Sequence, residues 1–168
     1  QWVGLNNYKP IAIKNIDEDL NSSEAELLNR NLTEASLTVL RNQSELLPLQ
    51  RLDTLKIASI SVGGEANNQF QKTLELYSGI SHFNISYEAS KAELDSIKNS
   101  LSEFNLVIIG VHDDSKYPRN NMKLSSEVQS FLKTIAEEKT SILTFFKNPY
   151  SLANLEVAER ASSLILTY

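Results

Sequence analysis

The chain has 168 residues, a length that fits one domain of ordinary size. Its 41% hydrophobic, 22% charged and 8% aromatic residues are typical of a globular protein and exclude collagen-like, low-complexity and disordered classes. The formal net charge of −5 disfavours nucleic acid and anionic lipid as partners, and no run reaches the roughly 18 to 20 apolar residues of a membrane span.

The two ends of the chain are unusually apolar. The first 20 residues follow neither a helical nor a strand period, and they include the large side chains of Trp2, Leu5, Tyr8 and Ile11. This composition predicts an irregular linker that crosses the face of a neighbouring domain, because flexible linkers in water are rich in Gly, Ser, Pro or charge. Residues 163–168 form an apolar run without a polar tail. We therefore expect a segment of a longer polypeptide, with an interdomain linker at residues 1–20 and a domain at 21–168 that is truncated at its C-terminus.

From residue 23 onward the apolar periodicity predicts alternating helices and strands. A capping box at Ser23 and Glu26 begins a helix whose apolar stripe continues to about Asn42. Five strand-like runs follow, at Lys56–Val62, His82–Tyr87, Leu106–Val111, Ser141–Phe146 and Ser162–Thr167. The fold class is therefore α/β, a mainly parallel five-stranded sheet with helices on both faces, as in a flavodoxin-like three-layer sandwich. We expect the strand order 2-1-3-4-5.

The candidate site lies in two loops of this sheet. Ligands of such sheets bind beyond the carboxyl ends of the strands near the switch point, which indicates loops 63–68 and 112–121. The second loop contains a titratable base, two carboxylates and a guanidinium, those of His112, Asp113, Asp114 and Arg119. This loop is the best candidate for contact with a substrate. The alternative is a solvated loop whose Asp residues make turn hydrogen bonds, and that situation is the commoner one.

No motif in the chain names a reaction. Gly63 and Gly64 lack the further glycine of G-x-G-x-x-G, and they favour a tight strand-to-helix turn over a phosphate cradle. The two histidines have no metal-ligand spacing, and there is no Cys. Adjacent carboxylates such as Asp113 and Asp114 seldom converge across a substrate. We therefore predict no catalytic residue, no metal and no cofactor.

A family resemblance appears in the run LTEASLTVLRNQSELLPLQRLDTLKIASISV, residues 32–62. It resembles the entry to the second domain of glycoside hydrolase family 3 enzymes, where a helix leads through LLPL to a strand of the type KIAVIG. Phe104–Val111 (FNLVIIGV) is similar to a later strand of that domain. Phe145–Leu152 (FFKNPYSL) is similar to the GNPY stretch of the bacterial β-N-acetylglucosaminidase branch. The N-terminal WVGLNNYKP resembles the linker that leaves the barrel domain, so the resemblance extends over the whole chain.

The resemblance implies a role for the chain. In that family a (β/α)₈ barrel precedes this α/β sandwich domain and carries the catalytic nucleophile, and no residue here matches a catalytic group. The implied function is a non-catalytic accessory domain of a hydrolase acting on β-linked N-acetylglucosamine or related β-glycosides. The implied partners are the barrel of the same polypeptide, which the linker side chains would face, and a carbohydrate whose site the loop at residues 112–121 would border. A periplasmic or otherwise extracytoplasmic location in a bacterium is also implied.

One alternative stays open on the residues alone. An independent flavodoxin-like module that binds a small ligand would show the same alternation of strands and helices. The presence or absence of a barrel sequence upstream distinguishes the two hypotheses.

Overall fold

The computed structural model describes residues 10, 13–112 and 124–167. The chain forms two compact units, Gln1–Ser36 and Leu37–Tyr168. The first unit contains helices α1 (Ile16–Leu20) and α2 (Ser23–Ser36). Ser22 caps α2, since its hydroxyl accepts a hydrogen bond from the backbone N–H of Ala25 at 3.2 Å. The predicted linker lies partly outside the described residues, and its boundary at residue 20 stays a prediction.

The second unit alternates strands and helices, as predicted. Its elements are β1 (Thr38–Asn42), β2 (Ile57–Val62), α3 (Gln69–Glu75), β3 (Ile80–Ile85), α4 (Lys91–Ser100), β4 (Leu106–His112), α5 (Ser126–Glu138), β5 (Thr140–Phe146), α6 (Val157–Arg160) and β6 (Ser163–Thr167). Short 3₁₀ turns lie at Gln43–Glu45, Leu52–Thr54, Leu101–Glu103 and Pro149–Asn154. The second predicted strand begins and ends two residues earlier than expected. Among the described helices, none has the length and apolar character needed to cross a membrane.

The sheet has six strands in the order β1-β6-β5-β4-β2-β3. Strands β2 to β6 are parallel, and their order is the predicted 2-1-3-4-5. The expected count of five strands is wrong, because the first long helix ends at Ser36 rather than near Asn42. Residues 38–42 instead form β1, which pairs antiparallel with β6 at the edge of the sheet. This pairing supplies hydrogen-bond partners to the backbone of β6, which a helix could not do.

The side chain of Arg41 strengthens this edge. Its guanidinium donates hydrogen bonds to the backbone carbonyls of Ala158, Glu159 and Ala161. These carbonyls lie at the C-terminal end of α6, where the helix leaves backbone acceptors without partners. Arg41 therefore ties β1 to the end of α6, which is a second physical reason for the strand.

The two faces of the sheet differ in chemistry. On the first, here called the apolar face, alternate strand residues such as Ala58, Ile60 and Val62 are buried against α4, α5 and α6. The opposite face, here called the mixed face, has an apolar part formed by Ile57, Leu106, Ile108 and Ile142. That part packs against Phe70 and Leu74 of α3 and against leucines of residues 46–55. Helices therefore lie on both faces, and the core is divided by the sheet.

Along β2 and β3 the mixed face also has a polar part. Its residues alternate with the apolar-face residues along β2 and β3, and they are Ser59, Ser61, His82 and Asn84. The parallel register places Ser59 beside His82 and Ser61 beside Asn84. This polar region lies toward the carboxyl ends of the strands, where a ligand site of such a sheet is expected.

Candidate functional site

The structure describes one of the four predicted site residues, His112, which is the last residue of β4. Asp113, Asp114 and Arg119 lie outside the described residues. The predicted interface side chains of Trp2, Leu5, Tyr8 and Ile11 also lie outside them. Loop 63–68, the other half of the predicted site, is described, and it lies next to His112.

The His112 ring packs on the mixed face. It stacks on Phe146 with ring centroids 4.5 Å apart and an interplanar angle of 11°. Phe70 meets the same ring edge-on, with centroids 5.8 Å apart. The two aromatic contacts fix the plane of the imidazole, which is half-buried. His112 is therefore a held side chain rather than a freely rotating one.

Two glycines make room for this ring. A Cβ atom on Gly110 would lie 2.8 Å from Phe70 Cε1 and 2.9 Å from His112 Nε2. A Cβ atom on Gly64 would lie 2.8 Å from Ser61 Oγ and 3.0 Å from His112 Cδ2. Distances below 3 Å are shorter than van der Waals contact, so a larger residue at Gly110 would displace the His112 or Phe70 ring, and one at Gly64 would first displace the Ser61 and Asn68 side chains. The sequence indicated a tight turn at Gly64, but it gave no sign of this close approach.

Asn68 connects three elements of the site. Its Oδ1 accepts a hydrogen bond from the backbone N–H of Gln71 at 3.0 Å and so caps α3. Its Nδ2 donates to Ser61 Oγ at 2.8 Å and lies 3.5 Å from His112 Nε2. The sequence analysis missed Asn68, although an Asn directly before a helical stripe is a known capping signal.

Tyr87 covers the other side of the loop. Its hydroxyl donates a hydrogen bond to the backbone carbonyl of His112. Its ring lies over Gly63, which has φ of +75° and where any Cβ atom would overlap the ring. A depression of about 310 Å³ lies here, lined by Gly63, Gly64, Asn84, Ile85, Ser86 and Tyr87. The carboxyl ends of β2 and β3 thus border a small open cavity.

Several buried polar atoms lie on the mixed face and on α3 without a hydrogen-bond partner in the described part of the chain. They are Ser59 Oγ, Gln71 Oε1, His82 Nδ1 and Asn84 Oδ1. His82 Nε2 lies 3.0 Å from Glu75 Oε1, close enough for an ion pair, but the angles are outside those of a hydrogen bond. Such polar burial is costly unless partners are found, so this part of the mixed face contributes less to stability than its area suggests.

Another groove of the second unit is less suited to a ligand. It has a volume of about 560 Å³ and is bordered by α5, α6 and Arg41. The Arg41 guanidinium already donates to three carbonyls, as described above. Lys133 pairs with Glu156 at 3.0 Å, and Arg160 pairs with Glu137 at 3.4 Å. These charges already have protein partners. The loops beyond β2 and β4 stay the candidate because they flank the switch point of the sheet.

The described part of the candidate site consists of hydrogen-bonding side chains. It offers an imidazole, an amide and hydroxyls, from His112, Asn68, Ser61 and Tyr87. Within residues 10, 13–112 and 124–167, no three His, Asp or Glu side chains converge as a metal site. Away from this site, the pKa of the Glu127 carboxyl is lowered by hydrogen bonds from its own backbone and from the Ser126 hydroxyl, and this places a negative charge in the first turn of α5.

Comparisons with solved structures relate this fold to glycosidases. A glycoside hydrolase family 3 β-N-acetylglucosaminidase from Paenibacillus sp. matches with 13% identity and a TM-score of 0.63, over 95% of this chain and 30% of that chain. A β-glucosidase from Erythrobacter marinus matches with 12% identity and a TM-score of 0.62, over 89% of this chain and 27% of that one. A fungal multi-domain β-N-acetylglucosaminidase of family 3 matches with 18% identity and a TM-score of 0.62, over 91% of this chain and 17% of that chain.

The chain shares its fold with one part of these larger proteins. It spans between 17% and 30% of their lengths. At such low identities the similarity shows the fold and does not carry over an activity. No protein-family model matches the sequence, and no curated protein matches it.

Proposed function

We propose that the chain is a non-catalytic accessory domain of a glycoside hydrolase that acts on β-linked N-acetylglucosamine or related β-glycosides. The observation that carries this proposal is the unequal coverage of the structural match. Nearly the whole chain superposes, yet it accounts for 30% of the Paenibacillus family 3 enzyme. The partner would be a catalytic (β/α)₈ barrel of the same polypeptide, as the resemblance of residues 32–62 implies. The same resemblance alone supports a bacterial, extracytoplasmic location.

The chemistry of the candidate site supports a binding role rather than bond cleavage. Most glycosidases need two carboxyl groups about 5 to 10 Å apart across the scissile bond. The described side chains around His112 are neutral donors and acceptors, which suit the hydroxyl groups of a sugar. Asp113, Asp114 and Arg119 would add charged groups at the border of the sugar site, and Trp2, Leu5, Tyr8 and Ile11 would face the barrel.

The exposed apolar side of α2 supports packing against another domain. Leu27, Leu28 and Leu32 are each more than half exposed, and among the described residues of α2 none is buried. An apolar helical stripe of this kind normally covers a core or a partner. In the proposed full-length enzyme, α2 would bury this stripe against the barrel.

The first test uses the isolated chain. It is expected to hydrolyse neither nitrophenyl N-acetylglucosaminide nor nitrophenyl glucoside, whereas the full-length gene product hydrolyses at least one of them. Turnover by the isolated chain that disappears when one of its own residues is changed would overturn the non-catalytic role. A full-length product without a barrel and without activity would instead favour an independent ligand-binding module.

A second test concerns the loop. Replacing Asp113 and Asp114 together with Ala in the full-length enzyme should raise KM with little change in kcat, because binding that is equal in ground and transition states affects KM alone. Asp95→Ala, on the exposed side of α4, is the matched control and should change neither constant. A fall of several orders of magnitude in kcat would show that the acid/base residue lies in this loop, and unchanged kinetics would leave the loop as a solvated turn.

A further inference from the structure

The orientation of the Asn68 amide is determined by its contacts. The backbone N–H of Gln71 can only donate, so the atom it meets at 3.0 Å must be the amide oxygen. The amide nitrogen therefore faces Ser61 Oγ at 2.8 Å and His112 Nε2 at 3.5 Å. Both hydrogens of the NH₂ group are thus directed toward the end of the sheet.

This orientation decides which ring nitrogen of His112 can carry the proton. If Nε2 carried a hydrogen, that hydrogen and the Asn68 NH₂ group would be two donors facing each other. If the ring were flipped, Cε1–H would face the amide, and one amide hydrogen would have no acceptor. The observed ring orientation with a lone pair on Nε2 satisfies the contact.

The packing around the His112 ring and the Asn68 amide restricts the rotation of both side chains. The stacking on Phe146 and the edge contact with Phe70 hold the plane. A Cβ atom on Gly110 or on Gly64 would lie within 3.0 Å of an atom of the His112 ring. The ring therefore fits closely against the backbone at both glycines. The Asn68 amide cannot rotate without losing the cap of α3.

We propose that Asn68 is a positioning residue that fixes the neutral His112 ring as the Nδ1–H tautomer. Free histidine in water favours the Nε2–H tautomer, so the site reverses the default.

The test is nuclear magnetic resonance on the 168-residue chain labelled with ¹⁵N at histidine. Above a pH of about 8 an ordinary His, with a pKa near 6.5, is neutral, and long-range ¹H–¹⁵N spectra show which nitrogen carries the hydrogen. His112 should carry it on Nδ1. His82, the other histidine of the chain, serves as an internal reference.

The decisive variant is Asn68→Asp. It keeps an oxygen that can cap α3 but replaces the amide donor with a carboxylate acceptor, so the His112 hydrogen should move to Nε2 while the signals of His82 stay in place. Asn68→Ser keeps a capping hydroxyl without a fixed donor and should give a mixture of tautomers. A residue that only capped the helix would leave the tautomer unchanged in both variants.

Two results would overturn the proposal. One is Nε2–H at His112 in the unmodified chain, which needs no variant and so does not depend on the folding of one. The other is an Nδ1–H signal that persists in a folded Asn68→Asp chain. Neither measurement uses a sugar or a barrel, so a failure here and a failure of the accessory-domain proposal are separate outcomes.

Discussion

The two faces of strand β2 show how one strand can serve two purposes. On the apolar face, Ala58, Ile60 and Val62 are fully buried against helices. On the mixed face, Ser59 and Ser61 are just as buried, yet their neighbours on β3 are the polar His82 and Asn84. The apolar face offers the non-directional stabilisation of apolar burial, whereas the mixed face depends on hydrogen bonds that are directional and only partly satisfied.

The covering helices repeat this contrast. Helix α5 has 13 residues, and it buries Val128, Phe131, Leu132, Ile135 and Ala136. Helix α3 has seven residues, and the residue that it buries fully is the polar Gln71. We therefore expect the apolar face to contribute most of the stability of the fold. The mixed face should contribute less stability, but it keeps polar groups in a defined arrangement at the end of the sheet.

The largest expected effect breaks the apolar face. Leu132→Ala removes a side chain with no exposed surface and should lower the free energy of unfolding by about 2 to 5 kcal/mol, because it leaves a cavity among α5 and the strands. Chemical denaturation measures this loss. Leu76→Ala is the control, since Leu76 is 81% exposed and should change stability little. If the two variants lost similar amounts of unfolding free energy, burial on the apolar face would not be the main source of stability.

The next effect concerns the glycines of the mixed face. Gly110→Ala would force Phe70 and His112 apart and should cost about 1 to 3 kcal/mol of unfolding free energy. Gly79→Ala is the matched control, because nothing lies within 4 Å of the Cβ position there. If both variants were equally stable in denaturation experiments, the close packing around His112 would not be a constraint.

Two serines of β2 sharpen the comparison further. Ser61→Ala leaves the Asn68 amide without its partner at 2.8 Å and should cost about 1 to 2 kcal/mol. Ser59→Ala removes a buried hydroxyl that has no hydrogen-bond partner in the described part of the chain, so it should be neutral or slightly stabilising. The difference between their unfolding midpoints is the measurement. If Ser59→Ala were the less stable variant, the stabilising hydrogen bond would belong to Ser59 rather than to Ser61.

The sheet was largely predictable, for a physical reason. A parallel strand covered on both faces is usually rich in apolar residues, and Leu106–Val111 shows that pattern at every position except Gly110. Strand β1 was missed because it is an exposed edge strand, and Val39 falls at the helical spacing of the preceding stripe. Its pairing with β6 and the contacts of Arg41 with the end of α6 join residues more than a hundred positions apart, which local periodicity cannot detect.

The position of the candidate site stays a prediction, and few of the contacts around it could be read from the sequence. The end of a central strand indicated His112, because ligands of parallel sheets bind there. Asn68 and Gly110 were missed, since their roles depend on contacts with His112 and Phe70 that form only when the strands align. The wider roles predicted for Asp113, Asp114 and Arg119 stay predictions.

The smallest expected effect tests the start of α5, the main helix of the apolar face. The pKa of Glu127 is lowered in the folded chain, so the ionised carboxylate stabilises the fold above the unfolded pKa of about 4.3. This contribution should be lost as the pH falls through the lowered folded value. Glu127→Gln should therefore lower Tm at pH 7, by no more than about 2 °C because the carboxylate is exposed, and leave Tm unchanged near pH 2. Glu65→Gln, in the exposed loop after β2, is the control and should change Tm at pH 7 little. A Tm difference for Glu127→Gln that persists at pH 2 would mean that the substitution acts through packing rather than charge, and the start of α5 would then belong to the apolar core instead of its polar boundary.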